Sequence, residues 1–464
     1  MSFVSESINK LSSWVMKPQH KKTMYSLSEG SLQDESFLSR KAATLCELHR
    51  LGFSIPPAFI ISSDVSMDFY HSGGHKFDDN FMPDLKAAID SLGSSIGRVY
   101  GSTSGPPPLL LSVRGGALVS PNTDVSFEES IDSINTDIVD ILGAPDSWCI
   151  PGVKESCLGI GMNDRVAEHL ANITTPFLAY NTYAHFLVRF GTIVQGAQRR
   201  HYRRILTEHV QNTGRAGVNL TKEDLMHIVH QFKLIADVPD DPYVQMQLTI
   251  QEMYRCWFSP SAMAFRSEAM NIARNTGTAV IVQSIVFGGT GVCFTRSPIT
   301  GEQGRGVFGT YWAKSGEKIT LDEHFGSRDE AAFRKLVETS RNLELHFKDM
   351  QQFEFVYNNE DDLLYILQVQ SGRRTPRASM KIAVDMVDQR MVTEREALLR
   401  LDASKASYFM QRHLHPDQLE SVPPIGRLPT TSYSNYCFDA FIADSSAGLL
   451  QVTLSPLSFY CLFM

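Results

Sequence analysis

Three groups of residues in this 464-residue chain have types and spacings suited to phosphate or metal chemistry. Lys41 falls in the first turn of Leu38–Leu51, which reads as a helix. Ser39 offers a cap, Ala42, Leu45, Cys46 and Leu48 share an apolar side, and Gly52 is a stop. A helix N-terminus favours anions, and a lysine there adds a full positive charge. A solvated surface lysine is the ordinary alternative. Arg114 follows directly on the apolar run Leu109-Leu110-Leu111-Ser112-Val113. A guanidinium at the end of a buried strand is costly without a partner, which an anionic ligand or a structural ion pair would supply. The third group lies on a predicted hairpin, Gln352–Tyr357 and Leu363–Gln370 around an Asn358–Asp362 turn. With the turn centred near Asp361, Glu354 faces Gln368 and Gln352 faces Gln370, all on one face. A carboxylate and an amide oxygen on adjacent strands can hold Mg²⁺, which completes its shell with substrate phosphates. A polar outer face of the hairpin accounts for the same pattern.

The elements that must position these residues read as an α+β fold of at least two lobes. Residues 23–120 alternate strand and helix, with Phe53–Ser62 confined by Pro56-Pro57 to an edge or a bulge, and Leu109–Val113 ended by Gly115-Gly116. Residues 121–149 have the look of an insert, polar, acid-rich and helix-forming around Phe127–Leu142. Residues 164–275 are mostly helical, with Thr221 capping Lys222-Glu223-Asp224. Thr278–Phe287 and Gly291–Arg296 are β-branched runs joined through Gly288-Gly289, a hairpin signal. Glu330–Met350 and Met380–Leu401 read as helices. The expected domains are an N-terminal extension at 1–22, a first lobe at 23–120, the insert at 121–149, a mainly helical subdomain at 150–275, a second lobe at 276–416 and an irregular tail at 417–464.

Composition narrows the function. An apolar fraction of 43% with 20% charged residues gives ample core. The net charge of −8 is spread thinly, and no basic stripe marks a nucleic-acid footprint. The cluster Arg199-Arg200-His201-Tyr202-Arg203-Arg204 reads as a solvated helix face. Seven scattered cysteines without metal spacing fit a reduced intracellular compartment, cytoplasmic by default. No apolar run reaches the roughly 20 residues of a transmembrane helix. The first 22 residues are basic but lack arginine, so an organelle-targeting peptide has little support. Cys461-Leu462-Phe463-Met464 fits the C-a-a-X prenylation pattern, with Cys461 the lipidation candidate. The absence of upstream basic residues favours an accidental ending.

Several motifs together resemble the pyruvate phosphate dikinase family. Ser112-Val113-Arg114-Gly115-Gly116-Ala117 is similar to S-V-R-S-G-A. Gly277-Thr278-Ala279-Val280 and Thr290-Gly291-Val292-Cys293-Phe294-Thr295-Arg296-Ser297-Pro298 are similar to G-T-A-V and T-G-V-A-F-T-R-N-P. His346–Gln351 with Glu354-Phe355 resembles H-F-R-D-M-Q-D-M-E-F, Leu364–Gln368 matches L-Y-F-L-Q, and Gly372–Thr375 resembles G-K-R-T. The order and spacing run from about Lys41 to Pro416. The resemblance implies an ATP-grasp-like, two-lobed nucleotide-binding fold with helical insertions, using ATP and Mg²⁺. By motif position it implies phosphate-binding roles for Lys41 and Arg114, metal and phosphate ligands in Glu354 and Gln368, and a nucleotide-site acid in Glu317.

The departures are specific. The family's G-G-K is Ser39-Arg40-Lys41, which removes glycines that let backbone approach phosphate. G-E-Y reads Gly309-Thr310-Tyr311, and Lys318 follows Glu317 where the family has Asp. M-P-G-M-M-D-T survives as Ile150–Ser156. Family Asp and Arg become Gln352 and Gln370, an exchange that keeps a fold satisfied but strips charges on which phosphoryl transfer depends. None of the 14 histidines stands in the T-S-H-A context of the family's phosphoryl acceptor, and His415-Pro416 matches a linker. The expectation is a degenerate ATP-binding module that cannot by itself run the full dikinase reaction, with no residue assigned as catalytic. The alternatives are a non-catalytic subunit contacting a larger assembly through 121–149 and the tail, or a truncated copy of a full-length enzyme.

Overall fold

The structure, a computed structural model, describes residues 22–74, 76–116, 156–269, 273, 276–304, 307–313, 318–321, 330–401, 426–427 and 439–440. The insert 121–149, Glu317, Cys461 and most of the tail lie outside these residues, so the readings placed on them are neither supported nor overturned by the fold.

The described chain forms two compact units, each built on a five-stranded sheet. In the first, the elements run β1 (Met24–Ser26), α1 (Glu35–Leu38), α2 (Arg40–Arg50), β2 (Ala58–Ile61), α3 (Ser63–His71), α4 (Phe81–Ser95), β3 (Leu111–Gly115) and β4 (Cys157–Ile160). A helical stretch follows, α5 (Asp164–Ile173), α6 (Pro176–Val194), α7 (Arg199–Thr213), α8 (Lys222–Lys233), α9 (Pro242–Trp257) and α10 (Pro260–Ala269), and β5 (Val280–Ser284) returns the chain to the sheet. The strand order is β1-β2-β5-β3-β4, antiparallel throughout. β2 and β5 are buried along their whole length; β2 reads as an unbroken apolar run, and β5 ends in the buried polar pair Gln283-Ser284.

The second unit carries β6 (Gly289–Phe294), β7 (Phe308–Trp312), β8 (Lys318–Leu321), α11 (Glu330–Phe347), β9 (Gln351–Asn358), β10 (Leu363–Ser371), α12 (Pro376–Asp388) and α13 (Glu394–Arg400). Its sheet order is β10-β9-β6-β7-β8. Within β10, Tyr365–Val369 group with the first unit. A core of Phe294, Met350, Ala378, Ile382, Met386 and Val392 fastens α12 to the second sheet. Gly426–Arg427 and Asp439–Ala440 form a two-residue strand pair in the tail.

Local chemistry explains the helix starts. Thr175 caps α6 by accepting from the Leu178 amide, and Pro176 occupies the first turn, where a missing N–H costs nothing. Thr221 caps α8 as expected, in a reciprocal box with Asp224. Asp224 also accepts from Arg215 Nε at 2.6 Å and Nη2 at 2.7 Å. Arg215, followed by the Thr221 backbone and hydroxyl, holds that buried carboxyl well below the usual range.

Four expectations require correction. Gly288-Gly289 does not make a hairpin, because β5 pairs with β2 and β3 whereas β6 pairs with β7 and β9. Neither glycine has the positive φ that a tight hairpin turn requires, and a Cβ on Gly289 would lie 2.2 Å from the Tyr311 hydroxyl. These glycines admit close packing. β2 is an interior strand, which the prolines allow because both precede its first residue and Pro57 accepts from the Ser284 amide. Met380–Leu401 is two helices, α12 and α13, parted where Arg390 turns left-handed at φ 59° and Thr393 caps anew. Leu38–Leu51 is likewise divided, at Ser39.

Candidate functional site

In the first unit, Ser39 links α1 to α2 with φ 72° and ψ 156°, a conformation populated almost solely by glycine. Its amide donates to Glu35 O and its carbonyl accepts from Ala43 N, so it ends one helix and begins the next. The residue occupies the cap position that the sequence indicates, but its hydroxyl makes no capping bond. The hydroxyl is fully buried and has no hydrogen-bond partner. Without a carboxylate in its first turn, α2 keeps the positive end of its dipole, and Lys41 stands half-buried there.

The C-terminal end of β3 meets this helix start. Arg114 and Gly115 pair with Ile281 and Val280 of β5, and the Gly116 amide extends the ladder to Ala279 O at 2.8 Å. A Cβ on Gly116 would fall 2.2 Å from Ser39 Oγ and 2.8 Å from Ser39 Cβ. Only glycine fits where the strand exit presses on the helix start. Lys41 lies two residues beyond Ser39, and Arg114 two residues before Gly116. The fold therefore draws the segments bearing these two cations to one corner, and Arg114 is half-buried there. Two cations on segments that meet at a helix N-terminus with no carboxylate in its own first turn suit an oligoanionic ligand such as a nucleotide's phosphates.

A strap closes the back of this corner. Thr278, itself buried, donates from its hydroxyl to Gly116 O at 2.5 Å, and its amide donates to Ser66 Oγ at 2.8 Å. Thr278 belongs to the Gly277–Val280 motif, yet nothing in its spacing marked the contact with Gly116.

In the second unit, β9 and β10 bring together the two glutamines that the sequence sets opposite each other. Gln370 Nε2 donates to Gln352 Oε1 at 3.3 Å across β9 and β10. Glu354 of β9 belongs to the second unit, Gln368 of β10 lies in the Tyr365–Val369 stretch that groups with the first, and both are half-buried. A carboxylate and an amide oxygen are both ligand types that Mg²⁺ accepts beside phosphate oxygens and water. Among the described residues no group of three or more acidic, histidine or cysteine side chains gathers into a metal centre.

Other motif residues serve the frame. Arg296 is fully buried, bonded to Glu344 Oε1 at 2.6 Å, to Asp385 at 3.2 Å and to Gln389 at 3.2 Å. Thr295 adds a bond to the other Glu344 oxygen at 3.0 Å. Asp349 accepts from Arg374 and from Ser371, each at 2.7 Å, and ties the base of the hairpin. Gly309 has φ 141°, and a Cβ there would lie 2.0 Å from Val292 O. Among the described residues no helix is long and apolar enough to cross a membrane.

Comparison with known proteins agrees with the motifs. Residues 146–322 match the family described as pyruvate phosphate dikinase, AMP/ATP-binding domain. The chain is 29% identical over 428 residues to the pyruvate, phosphate dikinase of Clostridium symbiosum, covering 87% of this chain and 45% of that protein. It is 30% identical over 460 residues to the chloroplastic pyruvate, phosphate dikinase of Flaveria trinervia, covering 92% and 44%. A dikinase of Rickettsia felis is 30% identical over 413 residues, covering 83% and 43%. The chain thus spans less than half the length of these relatives.

Proposed function

Because the chain carries the AMP/ATP-binding region of the pyruvate phosphate dikinase family, we propose that it is a nucleotide-binding module of ATP-grasp-like fold that retains Mg·ATP affinity but transfers phosphoryl groups poorly. By motif position Lys41 and Arg114 would hold phosphate oxygens, and Glu354 and Gln368 would serve as metal and phosphate ligands. Mg²⁺ supplies charge neutralisation on the phosphates. Glu317 adds an acid to the nucleotide site.

The observation that carries the reading is the Gln370–Gln352 amide bond, at positions where the resemblance places an arginine and an aspartate. The exchange leaves each side chain hydrogen-bonded, so the hairpin keeps its frame. It also removes a cation from the phosphates and an acid from beside the metal. Catalysis of this type consists mainly of preorganised charge, and one such group is commonly worth about 10²–10³ in rate. The alternative reading is a non-catalytic structural or interaction subunit of a larger assembly, contacting partners through 121–149 and the tail.

Calorimetric titration with Mg·ATP, paired with an assay for AMP and pyrophosphate, tests the proposal. Binding without product is expected. No heat at millimolar nucleotide would overturn the retained affinity, and rapid AMP formation would overturn the impaired chemistry.

A further inference from the structure

The strap over the cation-bearing corner is hydrogen-bonded both to the strand exit, through the Thr278 hydroxyl, and to Ser66, through the Thr278 amide. Thr278 has one hydroxyl proton and two carbonyls within reach, Gly116 O at 2.5 Å and Ala279 O at 3.3 Å. The shorter contact takes the proton, so the hydroxyl is committed to Gly116. Gly116 is thereby bound on both sides of its Cα, its amide to Ala279 O and its carbonyl to Thr278 Oγ1. It is the residue on which Ser39 presses, with no room for even a methyl group. The strap is itself anchored at two points. The Thr278 amide donates to Ser66 Oγ, which in turn donates to Ser63 O at 2.7 Å, and Gly277 passes so close that a Cβ there would lie 2.6 Å from Ser63 O. Upstream, Trp257 Nε1 donates to Thr276 O at 2.8 Å. The buried Arg266 lies over that indole at 3.8 Å and donates to the Trp257 carbonyl at 2.7 Å.

We propose that Thr278 is a positioning residue for phosphate binding: by fixing the Gly116 peptide against Ser39, it sets Arg114 and Lys41 at the spacing that a polyphosphate requires. The proposal rests on the nucleotide-binding reading above. Thr278 touches no ligand and acts through the strand exit. The hydroxyl restrains the β3 exit, because breaking its bond to Gly116 O takes a hydrogen-bond donor away from that carbonyl. The C-terminal end of the strand then relaxes away from the helix start.

Three variants of the full chain test this. Thr278→Val keeps the shape and removes the hydroxyl, and Thr278→Ser restores it. Thr249→Val is the control, because it deletes a buried hydroxyl bond of the same kind, to Gln245 O at 2.8 Å within α9. Thr278→Val is expected to weaken Mg·ATP and Mg·tripolyphosphate binding alike by about tenfold, the loss of one buried hydrogen bond. Thr278→Ser and Thr249→Val are expected to bind like the parent chain. Amide hydrogen exchange without nucleotide should quicken over residues 39–42 and 111–116 in Thr278→Val alone. Unchanged affinity in Thr278→Val, or equal weakening in Thr249→Val, overturns the proposal while leaving nucleotide binding intact. A parent chain that binds no nucleotide overturns the binding reading instead, and the exchange data then show whether Thr278 fixes the corner.

Discussion

Replacing Ser39 by glycine should stabilise this protein, against the usual direction of glycine substitutions. Ser39 holds φ 72° and ψ 156°, and such a conformation in a residue with a Cβ costs about 1–3 kcal/mol. Its buried hydroxyl has no hydrogen-bond partner, a desolvation cost of about 1–3 kcal/mol. Glycine removes both terms. Against this stands the added freedom of the unfolded chain, about 0.4–1 kcal/mol, together with the small volume vacated beside Gly116. The net expectation is a gain of about 2 kcal/mol, which for a unit of this size raises the unfolding midpoint by roughly 4–8 °C. Ser39→Ala separates the terms, since it sheds the hydroxyl and keeps a Cβ in the strained conformation, so its gain should be about half as large. Differential scanning calorimetry of the three full-length chains makes the comparison. A Ser39→Gly chain no more stable than its parent would refute the strain argument. The same variant restores a glycine of the G-G-K pattern, and on the proposed function it should also tighten Mg·ATP.

Further outcomes follow from the same physics. Arg296→Met strands the buried Glu344 carboxylate and should destabilise the second unit by about 3–5 kcal/mol, read as a lowered denaturation midpoint; a loss below about 1 kcal/mol would count against a buried network. Asp224 has a folded pKa below its unfolded value, so its contribution is fully present above the ordinary carboxyl range and disappears as pH falls through the depressed folded value. Asp224→Asn should therefore be less stable than the parent at pH 7 and converge with it on acidification below about pH 4; a gap that stays constant down to pH 2 would exclude the linkage. Gln352→Asp combined with Gln370→Arg should recover charge at the hairpin and tighten Mg·ATP, whereas either single change should not. A double variant that binds no better than the parent would remove the exchanged pair as the cause of impairment.

The sequence made the hairpin legible to the residue: Gln352 and Gln370 face each other because period-two alternation and one turn fix a local register. Thr221 was equally legible, since a capping box is written in four consecutive residues. What was illegible shares two causes. Strand periodicity tells which face is buried but not which strand is the neighbour, so adjacent β5 and β6 suggested a hairpin while each pairs elsewhere. Backbone reversals without glycine leave no mark. Ser39, Lys348 and Arg390 all take positive φ, and they split or end helices that read as continuous or longer. Thr278 was hidden for a related reason: its partner lies 162 residues away, and a lone threonine beside a glycine specifies no contact.

The pattern of kept and exchanged charges has a physical logic. Arg296, Glu344 and Asp385 lie in the interior, where removing any one leaves a buried charge unpaired. Stability alone is enough to hold that network in place. Gln352 and Gln370 sit half-buried on a hairpin face, where two amides satisfy each other as well as an ion pair does, provided both change together. A chain constrained by its fold but released from chemistry should lose charges at such half-buried pairs first and at buried networks last. Ser39 extends the argument, because there the departure from the glycine pattern is paid in strain rather than satisfied. The corner that suffers that strain is the one where Lys41 and Arg114 would meet phosphate, so the Ser39→Gly gain in stability and any gain in Mg·ATP affinity measure fold and function at the same position.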